Sequence, residues 1–223
     1  MKPTKNISQS LESQLNDFKE NWALKVDPSV SKTFQKGIDE LVEHNISSKA
    51  LKKGNSVIDF TLNDANGNSI SLKEKLKSGR VILTWYRGGW CPYCNLTLRN
   101  LQNHIPEFEK LNAQLIALTP ELPDNSMSTK EKNELTFDVL SDIDSKVAKA
   151  YGLVIKVSDE VNSFYKKFHD LKDFNGGTGD ELPLTATYVI EQNAQISYSF
   201  VDVDYRKRAE PQEILNHLLN INI

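Results

Sequence analysis

Cysteine and methionine are scarce in this 223-residue chain, with two of each, and long apolar runs are missing altogether. Two cysteines are too few for the disulfide framework of a small secreted domain. No stretch reaches the ~18 consecutive apolar residues of a spanning helix, so no membrane partner is expected. An excess of one charge is also lacking: 27 Lys and Arg stand against 30 Asp and Glu, a net of −3. That balance argues against nucleic acid as a partner. The start, MKPTKNISQSLESQ, has no apolar centre of a secretory signal, and a cytoplasmic location is expected. What the chain does have is nine Phe, seven Tyr and three Trp within an apolar fraction of 39%, enough to build a core.

The first 50 residues read as a helical arm. Ile7, Leu11, Leu15, Phe18 and Trp22 draw one apolar stripe, and Val30, Phe34, Ile38, Leu41 and Val42 a second. Between them Asp27-Pro28 reads as an N-cap followed by proline at the first helical position. These stripes either cover the rest of the chain or join two subunits as a homodimer. Residues 51–223 are expected to form one domain. VIDFTLNDANGNSISL is a hairpin turning at Asn66-Gly67. Residues 81–86 form a buried strand, and a helix is expected from 92 to 111. AQLIALTP and LTFDVLSD are further strands, SKVAKAYG a helix stopped at Gly152. ATYVIEQNAQISYSFVDVDY is a strand, turn and strand, and EPQEILNHLLNI a closing amphipathic helix. Strands alternating with helices point to an α/β sandwich with a central sheet.

Both cysteines lie in RGGWCPYCNL, as Cys91 and Cys94. Pro92 suits the first position of a helix, which makes Cys91 the N-cap and Cys94 the third helical residue. Both sulfurs then stand among backbone N–H groups that lack intrahelical acceptors, where a thiolate is favoured. Their spacing also puts them on one face, within disulfide reach. Zinc would need four ligands. The pair supplies two, and His44, His104, His169 and His217 are scattered, so no metal is expected. Redox chemistry fits the pair better than a role as inert core residues. The N-cap position favours Cys91 as the more exposed and more acidic thiol.

Five segments carry a family resemblance: DFTLNDANGNSISL, WYRGGWCPYCNLTLR, LTFDVLSDIDSKVAKAYGL, LPLTATYVI and DVDYRKRAEP. Together they resemble the peroxiredoxin-like branch of the AhpC/TSA family, alkyl hydroperoxide reductases and thiol-specific antioxidants of the thioredoxin fold. The resemblance implies a thioredoxin-like, peroxiredoxin-type three-layer sandwich with a central mixed sheet, behind the helical arm. In the family's P-x-x-x-T-x-x-C register, Cys94 takes the place of the peroxide-attacking cysteine, Cys91 that of the threonine and Arg87 that of the proline. Thioredoxins use the first cysteine of C-x-x-C instead, which would be Cys91, so the two registers nominate different nucleophiles.

The activity implied is a thiol-dependent peroxidase acting on hydrogen peroxide or organic hydroperoxides. A sulfenic acid on one cysteine would condense with the other, and a thioredoxin, glutaredoxin or glutathione-type thiol would reduce the disulfide. No cofactor is implied. The alternatives are a disulfide oxidoreductase acting on protein or small-molecule disulfides, and a redox sensor with no catalysis. Around the pair, Arg87 is a candidate to stabilise a thiolate or polarise peroxide, and Trp90 and Tyr93 to wall a pocket. Thr185, in the segment that faces the cysteines in thioredoxin folds, is a candidate hydroxyl near the sulfurs. Arg208 is a candidate for the arginine that the family uses. The competing reading of its motif is a salt-bridged turn before the last helix. NGGTG, residues 175–179, is read as a loop, since it neither follows a strand nor matches a dinucleotide fingerprint.

Overall fold

Local sequence sets the two N-terminal helices. In a computed structural model describing residues 9–168, 170–176 and 179–221, α1 (Leu11–Ala23) starts at Ser10, whose hydroxyl accepts the Ser13 N–H. Asp27 caps α2 (Pro28–Glu43) by accepting the Ser29 N–H at 2.8 Å, with Pro28 opening the helix as the sequence suggests. The stripes on these helices are buried at Leu11 and Leu15 and at Phe34 and Ile38. They therefore cover this chain's own core; Ile7 lies outside the described residues.

The hairpin of β1 (Thr61–Asn63) and β2 (Ser69–Ser71) turns at Gly67, whose φ of 83° suits a residue without a side chain. α3 (Leu72–Ser78) and β3 (Arg80–Trp85) follow. The single helix expected from 92 to 111 is two, α4 (Pro92–Asn103) and α5 (Ile105–Lys110). Pro106 has no N–H for the i−4 bond and its ring crowds the preceding turn, so the helix breaks at His104 and restarts. Next come β4 (Ala113–Thr119), α6 (Pro123–Lys132), β5 (Asp138–Ser141) and α7 (Lys146–Ala150). Gly152 stops α7 with φ 71°, and a Cβ there would strike the Lys49 carbonyl, where the end of the arm docks. β6 (Val154–Lys156), α8 (Asp159–Tyr165), α9 (Leu171–Asn175) and β7 (Glu181–Pro183) build a region that periodicity leaves blank. Within residues 175–179, Asn175 ends α9, Gly176 and Gly179 have positive φ, and 177 and 178 are outside the described residues. β8 (Thr185–Ile190), β9 (Ile196–Asp202) and α10 (Pro211–Ile221) close the chain.

The central sheet runs β5-β4-β3-β8-β9. β3 pairs parallel with β4 and antiparallel with β8, so the sheet is mixed. Its strands are apolar on both faces. Val81, Leu83 and Trp85 of β3 point into one core with Leu72, Val147, Val161 and Phe34. Ile82 and Tyr86 point into the other with Leu15, Leu98, Phe108 and Leu218. Side chains alternate across the strand, so helices must cover both sides, and three layers result. α1 packs on the second core and α2 on the first. The arm thus passes round the end of the sheet where β3 delivers Cys91.

Candidate active site

β3 ends at Trp85, and residues 86–90 lead to Cys91, the N-cap of α4. Cys94 is the third residue of the helix, the placement that Pro92 favours. Both thiols are free and buried, with 3% of Cys91 and none of Cys94 exposed. The acidity falls the opposite way from the N-cap expectation. Burial opposes a charge on Cys94, but the Cys91 S–H, the Arg208 guanidinium and the Arg87 backbone N–H and side chain outweigh it and lower its pKa to about 5. Cys91 is pushed well above the usual thiol range because its own S–H donates to Cys94 and because it is buried. The Arg208 charge and the Cys94 N–H pull the other way without offsetting this. One negative charge is held by the pair, and it sits on Cys94.

The turn after β9 supplies the cation. Arg208 Nη2 lies 3.5 Å from Cys94 Sγ, while Nη1 is held by the Tyr205 and Lys207 carbonyls. Two short bonds, 2.7 and 2.8 Å, tie Arg206 to Asp204. The salt-bridged turn and the sulfur-binding arginine are therefore one structure: the first rigidifies the loop that carries the second. Glu210 extends it, accepting the Leu11 and Glu12 N–H groups at 3.0 and 3.1 Å and so anchoring the start of α1. Arg87 is buried, with its guanidinium 4.5 Å above the Tyr205 ring.

Aromatic rings wall the pair. Tyr93 stands edge-on to Phe18 at 4.9 Å and to Tyr205 at 5.5 Å, and Trp90 edge-on to Tyr165 at 5.2 Å. They bound a cavity of about 340 Å³ into which Cys91 opens, with Phe34 and Phe168 also on its lining. Trp90 and Tyr93 both line it. The Thr185 hydroxyl donates to the Asp202 carbonyl at 3.1 Å, across the β8–β9 pair.

Behind the cysteine loop lies a polar network that neither periodicity nor motif announces. Glu121 is buried, accepting the Gly89 N–H at 2.8 Å and the Thr129 hydroxyl at 3.2 Å. Asn95 donates to the Gly89 carbonyl, Asn133 to Asn95, and Arg99 to Asn133, each within 2.8 Å. Burial raises the Glu121 pKa and its hydrogen bonds oppose this, while a charge on Cys94 adds to the rise. Gly89 is obligatory here, since a Cβ would fall on Thr129 Oγ1. The only sequence hint is an acidic residue between prolines in TPELP.

The model of the AhpC/TSA family matches residues 53–199. A putative peroxiredoxin from Mycobacterium tuberculosis is 29% identical over 102 residues, covering 46% of this chain and 64% of the relative. A chloroplastic peroxiredoxin Q from Oryza sativa subsp. japonica is 25% identical over 171 residues, covering 77% and 66%. The matched region thus spans just under two thirds of the length of either relative. Among solved structures, the peroxidoxin BcpB of Mycobacterium tuberculosis superposes with a TM-score of 0.60 at 20% identity, over 77% of this chain and 98% of that one. That likeness establishes the thioredoxin-like, peroxiredoxin-type fold.

Proposed function

The chain belongs to the AhpC/TSA family, and on that premise we propose that it is a thiol peroxidase in which Cys94 attacks hydrogen peroxide or a small organic hydroperoxide. The observation that carries this is the thiolate on Cys94 with Arg208 at 3.5 Å. The Cys94 thiolate bonds to one peroxide oxygen as the O–O bond breaks, giving a Cys94 sulfenic acid and an alkoxide or hydroxide that takes up a proton. Arg208 faces the oxygens on which negative charge grows. Cys91 then condenses with the sulfenic acid, releasing water and forming a Cys91–Cys94 disulfide. An external dithiol, or two molecules of a glutathione-type thiol, returns both sulfurs to the reduced state and leaves as the disulfide.

Access divides the labour further. Cys94 has no exposed surface, whereas Cys91 lines the aromatic cavity. Peroxide therefore enters past Cys91, with opening of residues 87–91, and the incoming reductant attacks the Cys91 sulfur. Both sulfurs come from one chain, so a homodimer is not required for the cycle. No helix among the described residues is long and apolar enough to cross a membrane. A reducing compartment such as the cytoplasm suits this cycle, because it keeps the resting thiols free.

The test is thioredoxin-coupled and glutathione-coupled peroxide consumption by wild type, C91S and C94S. C94S is expected to lose the first turnover. C91S is expected to keep it but to stop recycling through a dithiol. A C94S variant that consumes peroxide at the wild-type rate would overturn the proposal.

A further inference from the structure

A second cavity, of about 250 Å³, lies between α2 and α8, with Tyr205 on its lining. Ile38, Leu41, Ile155, Val161 and Val203 supply apolar walls, and Arg87 is the buried cation among the described lining residues. Arg87 is 4% exposed, its Nε has no hydrogen-bond partner, and no carboxylate among the described residues pairs with it. A buried guanidinium with an unpartnered Nε is costly, and among the described residues the Tyr205 face and the Cys94 charge offset part of that cost.

We propose that this cavity binds a monocarboxylate with an apolar tail of medium length, its head on the Arg87 guanidinium and its tail between α2 and α8. The head follows from the donor set. One planar guanidinium matches one carboxylate, while a phosphate would bring a second charge into an apolar cavity with nothing to pair it. The tail follows from the walls and the volume. A cavity of ~150 Å³ admits benzene, so the larger one here has room for a chain of about eight carbons. Glu40, His44 and Lys156 stand at the lining's polar edge. Lys156 is already paired with Asp180 at 3.1 Å, and His44 Nδ1 lies 2.7 Å from the Glu40 carbonyl, which leaves Arg87 as the anchoring charge.

Binding has a consequence for the thiols, and this part rests on the peroxidase reading while binding itself does not. A carboxylate on Arg87 competes with Cys94 for the same positive charge. The bound state therefore holds a less stable thiolate and reacts more slowly with peroxide. The site is a brake that a carboxylate metabolite applies from a cavity that shares Phe34, Tyr165 and Tyr205 with the aromatic one.

Octanoate is the probe, titrated by calorimetry into the full-length reduced protein. One saturable site is expected, with octanol at least about tenfold weaker. R87Q is expected to weaken octanoate about ten- to hundredfold, and L41W, which enlarges a wall residue on α2, to abolish saturation without changing thermal unfolding. Saturating octanoate should slow the first turnover with peroxide and move its acid limb to higher pH. No saturable binding by wild type, equal binding of octanol, or an unchanged affinity in R87Q would each overturn the proposal. The two readings fail separately. Arg87-dependent binding by a protein that reduces no peroxide keeps the site and removes the peroxidase, and an active peroxidase that ignores octanoate does the reverse.

Discussion

Two buried sulfurs three residues apart cannot both carry a charge, and the donors around them decide which one does. Cys94 collects the Cys91 S–H, the Arg87 N–H and the Arg208 guanidinium, whereas Cys91 is a donor to its neighbour. Removing a single charged donor should show this directly. R208M is expected to lower the first-turnover rate with hydrogen peroxide by about 100- to 1000-fold, the range seen when one preorganised donor is lost, measured by stopped-flow on the reduced protein. The pH profile follows from the same charge. With Cys94 at about 5, the thiolate persists through neutral pH and is lost as pH falls through that value. The first-turnover rate should be level from neutral pH down to about one unit above it, then fall with one proton below. The pair's placement was legible in the sequence, because proline favours the first position of a helix and Pro92 opens α4. Its polarity was not. The N-cap rule treats each sulfur alone and does not see that one thiol hydrogen-bonds to the other.

At the scale of elements, the loop from β3 to α4 is held from behind by α6 and α4 rather than by its own residues. Glu121, Thr129, Asn95 and Asn133 fix both the N–H and the carbonyl of Gly89. G89A should displace Thr129 and cost about 1–3 kcal/mol in chemical denaturation, as overpacking does. E121L should cost about 2–4 kcal/mol by stranding the Gly89 N–H and the Thr129 hydroxyl, while E121Q, which can still accept and donate there, should cost less. Such residues are silent in a single sequence. Glu121 belongs to no stripe and to no spacing rule, and only the fold brings it to Gly89. Arg208 was easier to find, since it stands in a dense polar segment straight after a strand. The competing structural reading of that segment turned out to describe its scaffold, with Asp204 and Arg206 stiffening the turn.

Across the whole molecule, the layered sandwich and mixed sheet follow from strands that are apolar on both faces alternating with helices, and these were legible. The break at Pro106 and the small β6–β7 pair were missed. A proline one residue into a renewed helix looks like a continuing one, and three-residue strands carry too little periodicity to register. The cavity beside Arg87 was beyond reach for another reason: its lining comes from segments around residues 34–46, 87, 155–165 and 203–205, which only the fold assembles. Having just two cysteines also makes a prediction for the molecule as a unit. Stoichiometric peroxide should leave the chain monomeric on a non-reducing gel and lighter by two hydrogens in intact mass, with the link between Cys91 and Cys94. Disulfide-joined dimers as the main product would mean that the pair does not close on itself.

The central claim is that the reacting thiolate is Cys94. Its most direct test is trapping of sulfenic acid after one equivalent of hydrogen peroxide at about pH 6, above the Cys94 value of about 5 and below the ordinary thiol value. The C91S and C94S variants would be labelled and mapped by peptide mass spectrometry. The account predicts rapid labelling of Cys94 in C91S and none above the rate of free cysteine on Cys91 in C94S. Rapid labelling of Cys91 in C94S, with Cys94 silent in C91S, would contradict it.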